Sequence, residues 1–383
     1  MGERLRPSGS EHEPDDATFA VSDRIGSGRQ DGHFLCADRG PAGASLPGAA
    51  SYTPAVFARP YLPVSDRTSV VPGALHHDEL RIDLPLVRAL VDRAQPDLAA
   101  LPLRQLERSG STNALFRLGD DLVVRLPRQG GGSAAIDKEA TWLPLIAPSL
   151  PVAVPAVVGV GDPGFGYPER WSLVRWLDGS VPSVPEAGVP SEPPRRDLAR
   201  DLAEVVAALG EIDVTPDALA GPALRWYRGD SLATRDAPTR DAIAACRDID
   251  GLNLELDEVS RVWRDAMRLP DAQLASGPRW YHGDLFAENL LVRDGQLTAI
   301  LDFGGLGIGD PTIDLIVAWE ALDAAERDAF REAITVDEPS WLRARAWALS
   351  LAIITFPYYW RTMPARCASQ LAVANPVLAD ALH

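Results

Sequence analysis

Lysine is all but missing from this chain. Lys138 is the only one in 383 residues, and every other basic side chain is arginine. The pattern is that of a genome-wide bias, as in GC-rich bacteria, and it matters wherever chemistry would ordinarily use a lysine. Cysteine is nearly as scarce. Cys36, Cys246 and Cys367 are odd in number and form no C-x-x-C pair, which argues against a disulfide framework and fits a reducing cytosol. Basic charge is outnumbered, 37 residues to 54 acidic ones, for a net charge of −17. Such a field repels nucleic acid and anionic membrane and draws cations. Solubility alone accounts for it; a polycationic substrate is the sharper reading, and charge does not decide between them.

Other features are absent too. Arg4 and Arg6 precede no apolar run, so no signal peptide is expected. The most apolar late stretch, 346–359, is short for a membrane span and contains Ser350, Thr355 and Pro357, so it reads as a buried helix. These absences predict a soluble, cytoplasmic protein with neither nucleic acid nor membrane as partner; oligomeric state is not legible. No internal repeat is present. No G-x-x-x-x-G-K-[ST] occurs, which argues against the P-loop class.

What remains is a chain 46% hydrophobic, enough for a large core and more than one compact lobe needs. Residues 1–74 show no sustained period and are rich in Gly, Pro, Ser and Asp, which predicts a disordered or poorly structured tail. Order is expected from Leu80. Asp83 is a candidate N-cap, Pro85 sits in the first turn, and Leu86, Val87, Leu90, Val91 and Ala94 form one helical stripe that Pro96 ends. Strands are expected at 103–108, 114–118 and 122–126, the last two joined by Gly119-Asp120-Asp121. A helix follows over 133–146, buried along Ile136, Ala140 and Leu143. Further strands are predicted over 152–160 and 171–177. Asp178-Gly179-Ser180 and a Pro-rich stretch to Pro194 break the pattern, so one lobe is assigned to 75–178 and a mainly helical second lobe to 179–383. In the second, Leu198, Leu202, Val205, Val206 and Leu209 share one helix face.

The chemistry is concentrated in Tyr281-His282-Gly283-Asp284-Leu285-Phe286-Ala287-Glu288-Asn289-Leu290-Leu291-Val292, followed by Ile300-Leu301-Asp302-Phe303-Gly304. Between them Asp294-Gly295 makes the turn of a short hairpin. Asp284 therefore lies on a loop five residues before Asn289, and the hairpin returns Asp302 beside both. Phosphoryl transfer needs an acceptor that orients the attacking hydroxyl and hard oxygen ligands that hold Mg²⁺ on the phosphates. Each residue alone is more often a cap or a turn. Three together between apolar runs point to that chemistry. A zinc site is not expected, since His383 is the only other histidine in this half.

H-G-D-L-x-x-x-N-L-L-V, then I-L-D-F-G, then G-x-G-D-P-x-x-D-L resembles the signature of the aminoglycoside phosphotransferase family, whose relatives include macrolide, choline and homoserine kinases. The resemblance covers roughly residues 76–383, and 113–128 is similar to a bacterial branch of the family. It implies an α+β, two-lobed protein-kinase-like fold, with an antiparallel sheet in the small N-terminal lobe and helices in the larger one. It implies transfer of the γ-phosphate of ATP, with Mg²⁺, to a hydroxyl of a small molecule. Asp284 would be the catalytic base, and Asn289 and Asp302 the metal ligands. His282, Asp310 and Asp314 would brace the site, and Asp310 also reads simply as an N-cap with Pro311 at N1.

On the nucleotide side, Glu139 lies on the buried helix face and should be paired. The resemblance implies a third-strand lysine as its partner, but Arg125 stands there. Arginine is longer, forked and always charged. Lys138 is not expected to substitute, because helix neighbours do not face each other. The loop 108–113 would cover the phosphates through backbone N–H groups and the Ser111 and Thr112 hydroxyls. Arg175 and Leu177 would hold the adenine edge through their backbone, with Trp176 as packing. Three readings stay open: an aminoglycoside or other antibiotic kinase, a metabolic kinase of choline, a sugar or an amino acid, and an inactive nucleotide- or partner-binding module. Retention of Asp284, Asn289 and Asp302 favours the first two; Arg125 is the one feature for the third.

Overall fold

Strand alternation organises the small lobe. In the computed structural model, which describes residues 78–106, 112–183, 195–271 and 277–380, five strands form one antiparallel sheet in the order β1-β2-β3-β5-β4. They are β1 (Leu103–Gln105), β2 (Asn113–Leu118), β3 (Leu122–Pro127), β4 (Val157–Gly161) and β5 (Trp171–Arg175). Ala114, Phe116 and Leu118 of β2, Leu122, Val124 and Leu126 of β3, and Trp171 and Leu173 of β5 share one face. There they pack against Val87, Leu90 and Val91 of α1 (Leu84–Ala94). With a side-chain period of two, Val123 and Arg125 fall on the opposite face. Arg125 pairs with Leu115 on one side and Ser172 on the other, at the centre of the sheet. Asp83 caps α1 as expected, accepting the Leu86 N–H at 3.0 Å.

Helix α2 (Ser133–Ile146) has the predicted bounds. No side chain at its own N-cap closes its first turn. Glu169, on the β4–β5 connection, does so instead, accepting the N–H groups of Gly131 and Ser133 at 2.9 and 2.8 Å. That answers the orphan donors of a helix start with a carboxylate where the dipole favours one. The other end of α2 goes elsewhere. Leu143 and Ile146 belong to the second lobe's core, with Trp142 and Trp280 ring centroids 5.9 Å apart. The strand predicted over 152–160 begins only at Val157; before it, Ala153 bridges to the hairpin of the larger lobe, its N–H donating to Thr298 O. The strand predicted to 177 ends at Arg175, and of the strand predicted over 103–108 three residues form it, positions 107–111 lying outside the described residues.

The larger lobe is built on α3 (Arg196–Glu211), α4 (Pro216–Ala220), α5 (Asp236–Cys246), α6 (Leu256–Ala266), α7 (Val317–Glu320), α8 (Ala324–Ile334), α9 (Glu338–Tyr359) and α10 (Pro364–Ala379). The α3 residues Leu198, Leu202, Val205, Val206 and Leu209 are all buried. Helix α9 is buried on all sides from Ala346 to Ile353 because α5, α6 and α10 pack around it. Among the described residues no helix is long and apolar enough to cross a membrane. Two small ribbons complete the lobe: β6 (Arg279–Tyr281) with β9 (Gly307–Gly309), and β7 (Leu290–Arg293) with β8 (Gln296–Ile300). Cys246 and Cys367 are buried and free. The tail assigned to 1–74 and Cys36 lie outside the described residues.

Candidate active site

The two ribbons set the site. β6 delivers the chain to His282–Asp284, the Asp294-Gly295 turn reverses β7 into β8, and Asp302 follows two residues after β8 ends at Ile300. Asp294 and Gly295 both have positive φ, the geometry a two-residue hairpin turn requires. Asn289 ties the pieces together. Its Nδ2 donates to Asp284 O at 2.8 Å, and its own carbonyl accepts the Leu301 N–H at 2.8 Å. Asp284, Asn289 and Asp302 are thus brought to one corner.

His282 is wholly buried and fixed at both ring nitrogens. Nδ1 accepts the Asp284 N–H at 3.1 Å, so Nε2 carries the proton and donates to Leu301 O at 3.0 Å. Burial pushes its pKa down to about 4 against the attraction of Asp284 and Asp302, so the ring is neutral. Asp314 receives the N–H groups of His282 and Gly283 at 2.6 and 2.7 Å. Its burial outweighs those bonds and raises its pKa to about 7. Asp310 is one step further out. It accepts the Thr312 N–H at 3.0 Å as the cap of the 3-10 turn Pro311–Ile316, and lies 3.7 Å from Arg343 Nε.

Across the cleft, Arg125 meets Glu139 at two points, Nη1–Oε2 at 2.5 Å and Nη2–Oε1 at 3.2 Å. Its Nη2 also reaches Asp302 Oδ1 at 3.3 Å. Glu139 and Asp302 hold the Arg125 charge in place against the pull of burial. One guanidinium therefore joins the sheet, α2 and the loop just after β8.

Three participants carry no local sequence signal. Arg228, buried, donates from Nη1 to Gly283 O and, at 2.5 Å, to Asp284 Oδ1. Its pair lies 56 positions away, and nothing distinguishes it from the other arginines before folding. Trp226 stacks under Arg228 at 4.7 Å and packs against the glycines of the loop, where a Cβ on Gly305 would stand 2.6 Å from its ring. Lys138 is the third. It is buried beside Glu139, its ammonium 5.6 Å from the Trp226 ring centre. Helix neighbours indeed do not face each other, but α2 is covered on two sides, by the sheet and by the larger lobe, so both point inward.

The remaining expected nucleotide residues are distributed as follows. Thr112 is exposed at the mouth of β2, and Ser111 lies outside the described residues. Arg175 ends β5 with its N–H given to Ala156 O. The Trp176 N–H is given to Asp121 O, and the Arg117 guanidinium stacks on its ring at 3.6 Å. The Leu177 N–H donates to no backbone carbonyl among the described residues.

A sequence model of the phosphotransferase enzyme family, APH, matches residues 103–347, a span that holds every residue just described. The chain belongs to that family. An aminoglycoside 3'-phosphotransferase from Escherichia coli is 35% identical over 92 residues, which is 23% of this chain and 33% of that protein; the match thus spans about a third of its length. A GDP complex of an aminoglycoside 2'-phosphotransferase-IIIa variant superposes with a TM-score of 0.59 at 20% identity, covering 78% of this chain and 99% of the other. A macrolide 2'-phosphotransferase from Brachybacterium faecium does so at 0.50 and 23% identity, covering 77% and 98%. These two likenesses establish the two-lobed α+β fold of the phosphotransferases.

Proposed function

We propose that this phosphotransferase moves the γ-phosphate of ATP to a hydroxyl of a small molecule, with aminoglycoside-like or other antibiotics as the leading acceptor class. The observation that carries the reading is the corner where Asp284, Asn289 and Asp302 meet beneath the Arg125–Glu139 pair. In it Asp284 orients the acceptor hydroxyl and accepts its proton, and Arg228 holds that carboxylate in register. Arg125 supplies the cation that the family places on the phosphates, and Leu177, whose N–H meets no backbone carbonyl among the described residues, offers a donor to the base edge.

The donor set fits Mg²⁺. Asn289 is anchored through its amide nitrogen, which leaves its oxygen as a ligand, and Asp302 adds one carboxylate. One or two such oxygens plus phosphates and water is how this ion is usually held. When bound, Mg²⁺ neutralises charge on the phosphates. His282 and Asp314 then act only as supports, one neutral strut and one acceptor of two backbone donors. Asp310 caps the turn behind them.

The acceptor class rests on the names of the similar proteins, aminoglycoside and macrolide phosphotransferases, and on a net charge of −17 that favours a cation. A coupled ADP-release screen of the purified chain against aminoglycosides, macrolides, nucleoside antibiotics and small metabolites tests it. Turnover with an antibiotic, reduced about 10²–10⁴-fold in Asp284→Asn, is expected. Turnover only with a metabolite would move the acceptor class; no ADP release with any acceptor would sink the enzymatic reading.

A further inference from the structure

The chain spells every basic position but one with arginine, and the exception, Lys138, is buried to 7% exposure beside Glu139 and Trp226. Its surroundings are unusual for a buried cation. It makes neither a hydrogen bond nor an ion pair among the described residues; its one close partner is the face of Trp226. Buried ammonium groups are normally paired, because leaving one desolvated is costly. Arg125, by contrast, is fully committed, with both Nη atoms on carboxylates. The family's phosphate cation is therefore present but occupied, while a free ammonium stands one residue from Glu139 and close enough to Asp302 to feel its charge.

We propose that Lys138 is a second phosphate-binding cation of the nucleotide site, working beside Arg125, and that the position requires an ammonium rather than a guanidinium. The inference rests on the kinase reading above. The charges support it: before metal and nucleotide arrive, Arg125 offsets only one of Glu139 and Asp302, and the Lys138 ammonium offsets the other. The chemistry of the two cations differs accordingly. A planar fork suits the two-point contact with Glu139, whereas a compact point charge with three rotatable donors suits a phosphate that arrives and leaves. Burial against Trp226 draws the Lys138 pKa down to about 8, which also makes its amine reactive under mild conditions.

The sole lysine makes the test direct. An ATP analogue acylated on its terminal phosphate transfers the acyl group to an amine within reach: the amine attacks the acyl carbonyl, an amide forms and ATP leaves. Incubated with the full chain, it should give one adduct mapping to Lys138, and excess ATP with Mg²⁺ should suppress it. Lys138→Met should raise the KM for ATP about tenfold or more, the worth of a charged hydrogen bond. Lys138→Arg should keep the wild-type melting temperature yet leave that KM raised. If ATP raises the melting temperature but Lys138 stays unlabelled, or is labelled equally in its presence, the inference is wrong and the kinase reading stands. If neither ATP nor GTP shifts the melting temperature, the kinase reading falls and this inference with it. Should the Met variant fail to fold, wild-type labelling and the Arg variant still decide.

Discussion

Arg125 links two residues, Glu139 and Asp302, that no short motif connects, and its variants separate an active enzyme from a mere binding fold. Arg125→Ala should raise the KM for ATP and lower kcat, and Glu139→Ala should do much the same. Because the two act as a unit, the double variant should be little worse than either single one in steady-state kinetics. Arg125→Lys should keep substantial activity but lose the second contact to Glu139 or the one to Asp302, since an ammonium cannot span all three oxygens with a planar fork. Full activity in Arg125→Ala would remove the ion pair from the nucleotide site.

His282 and Asp314 titrate in opposite senses. A buried His with a lowered pKa contributes stability that is full above its unfolded value, about 6.5, and is lost as pH falls towards 4. Asp314, raised to about 7, favours the fold at low pH and loses that contribution as pH rises through 7. His282→Asn removes only the first. Relative to the variant, the wild type should therefore lose about 3 kcal/mol between pH 6.5 and 4, read as the difference between urea unfolding curves across that range. A flat difference would mean that His282 is charged in the fold.

At the scale of elements, the close approach of two loops is the feature most exposed to damage. A Cβ on Gly305 would stand 2.6 Å from Trp226 and 2.9 Å from the His282 carbonyl, which is backbone and has nowhere to go. Gly305→Ala should lower stability by about 1–3 kcal/mol and impair turnover, whereas Gly210→Ala on α3, which meets nothing within 4 Å, should do neither. Thermal melting of the two variants checks this. The hairpin, the cap at Asp83 and the bounds of α2 were legible in the sequence because each is written in neighbouring residues. Periodicity marked α2 as a helix with a buried face but not that Glu169 of the small lobe holds its start while its last turns enter the larger core. Arg228 and Lys138 escaped for a related reason: their meaning comes from partners far along the chain, and a single arginine or lysine looks the same before the loops meet.

For the whole molecule, the described fold is closed at its start by contacts that do not need the first 74 residues. Leu80 N–H donates to Arg128 O, Glu79 pairs with Arg128, and Leu80 and Ile82 pack on the small core. A chain beginning at Leu75 should keep its melting temperature and respond to ATP and Mg²⁺ like the full chain. At a hundred times Kd, the ligand should stabilise both by about 2.7 kcal/mol, a shift of several degrees in a melting scan. A large loss on truncation would show that the segment packs on the body.

Helix α2 joins the lobes in a way that limits how they can move. Its first turn is held by Glu169 of the small lobe, and its last turns are embedded in the larger core. A rotation of the sheet that swung α2 aside would empty one set of contacts or the other. The motion that disturbs both least is a roll about the helix's own long axis, with α2 as an axle on which the sheet tips. Such a roll would carry β3 across the face of the helix and so stretch or shorten the reach from Arg125 to Glu139, making that pair the gauge of how far the cleft is open.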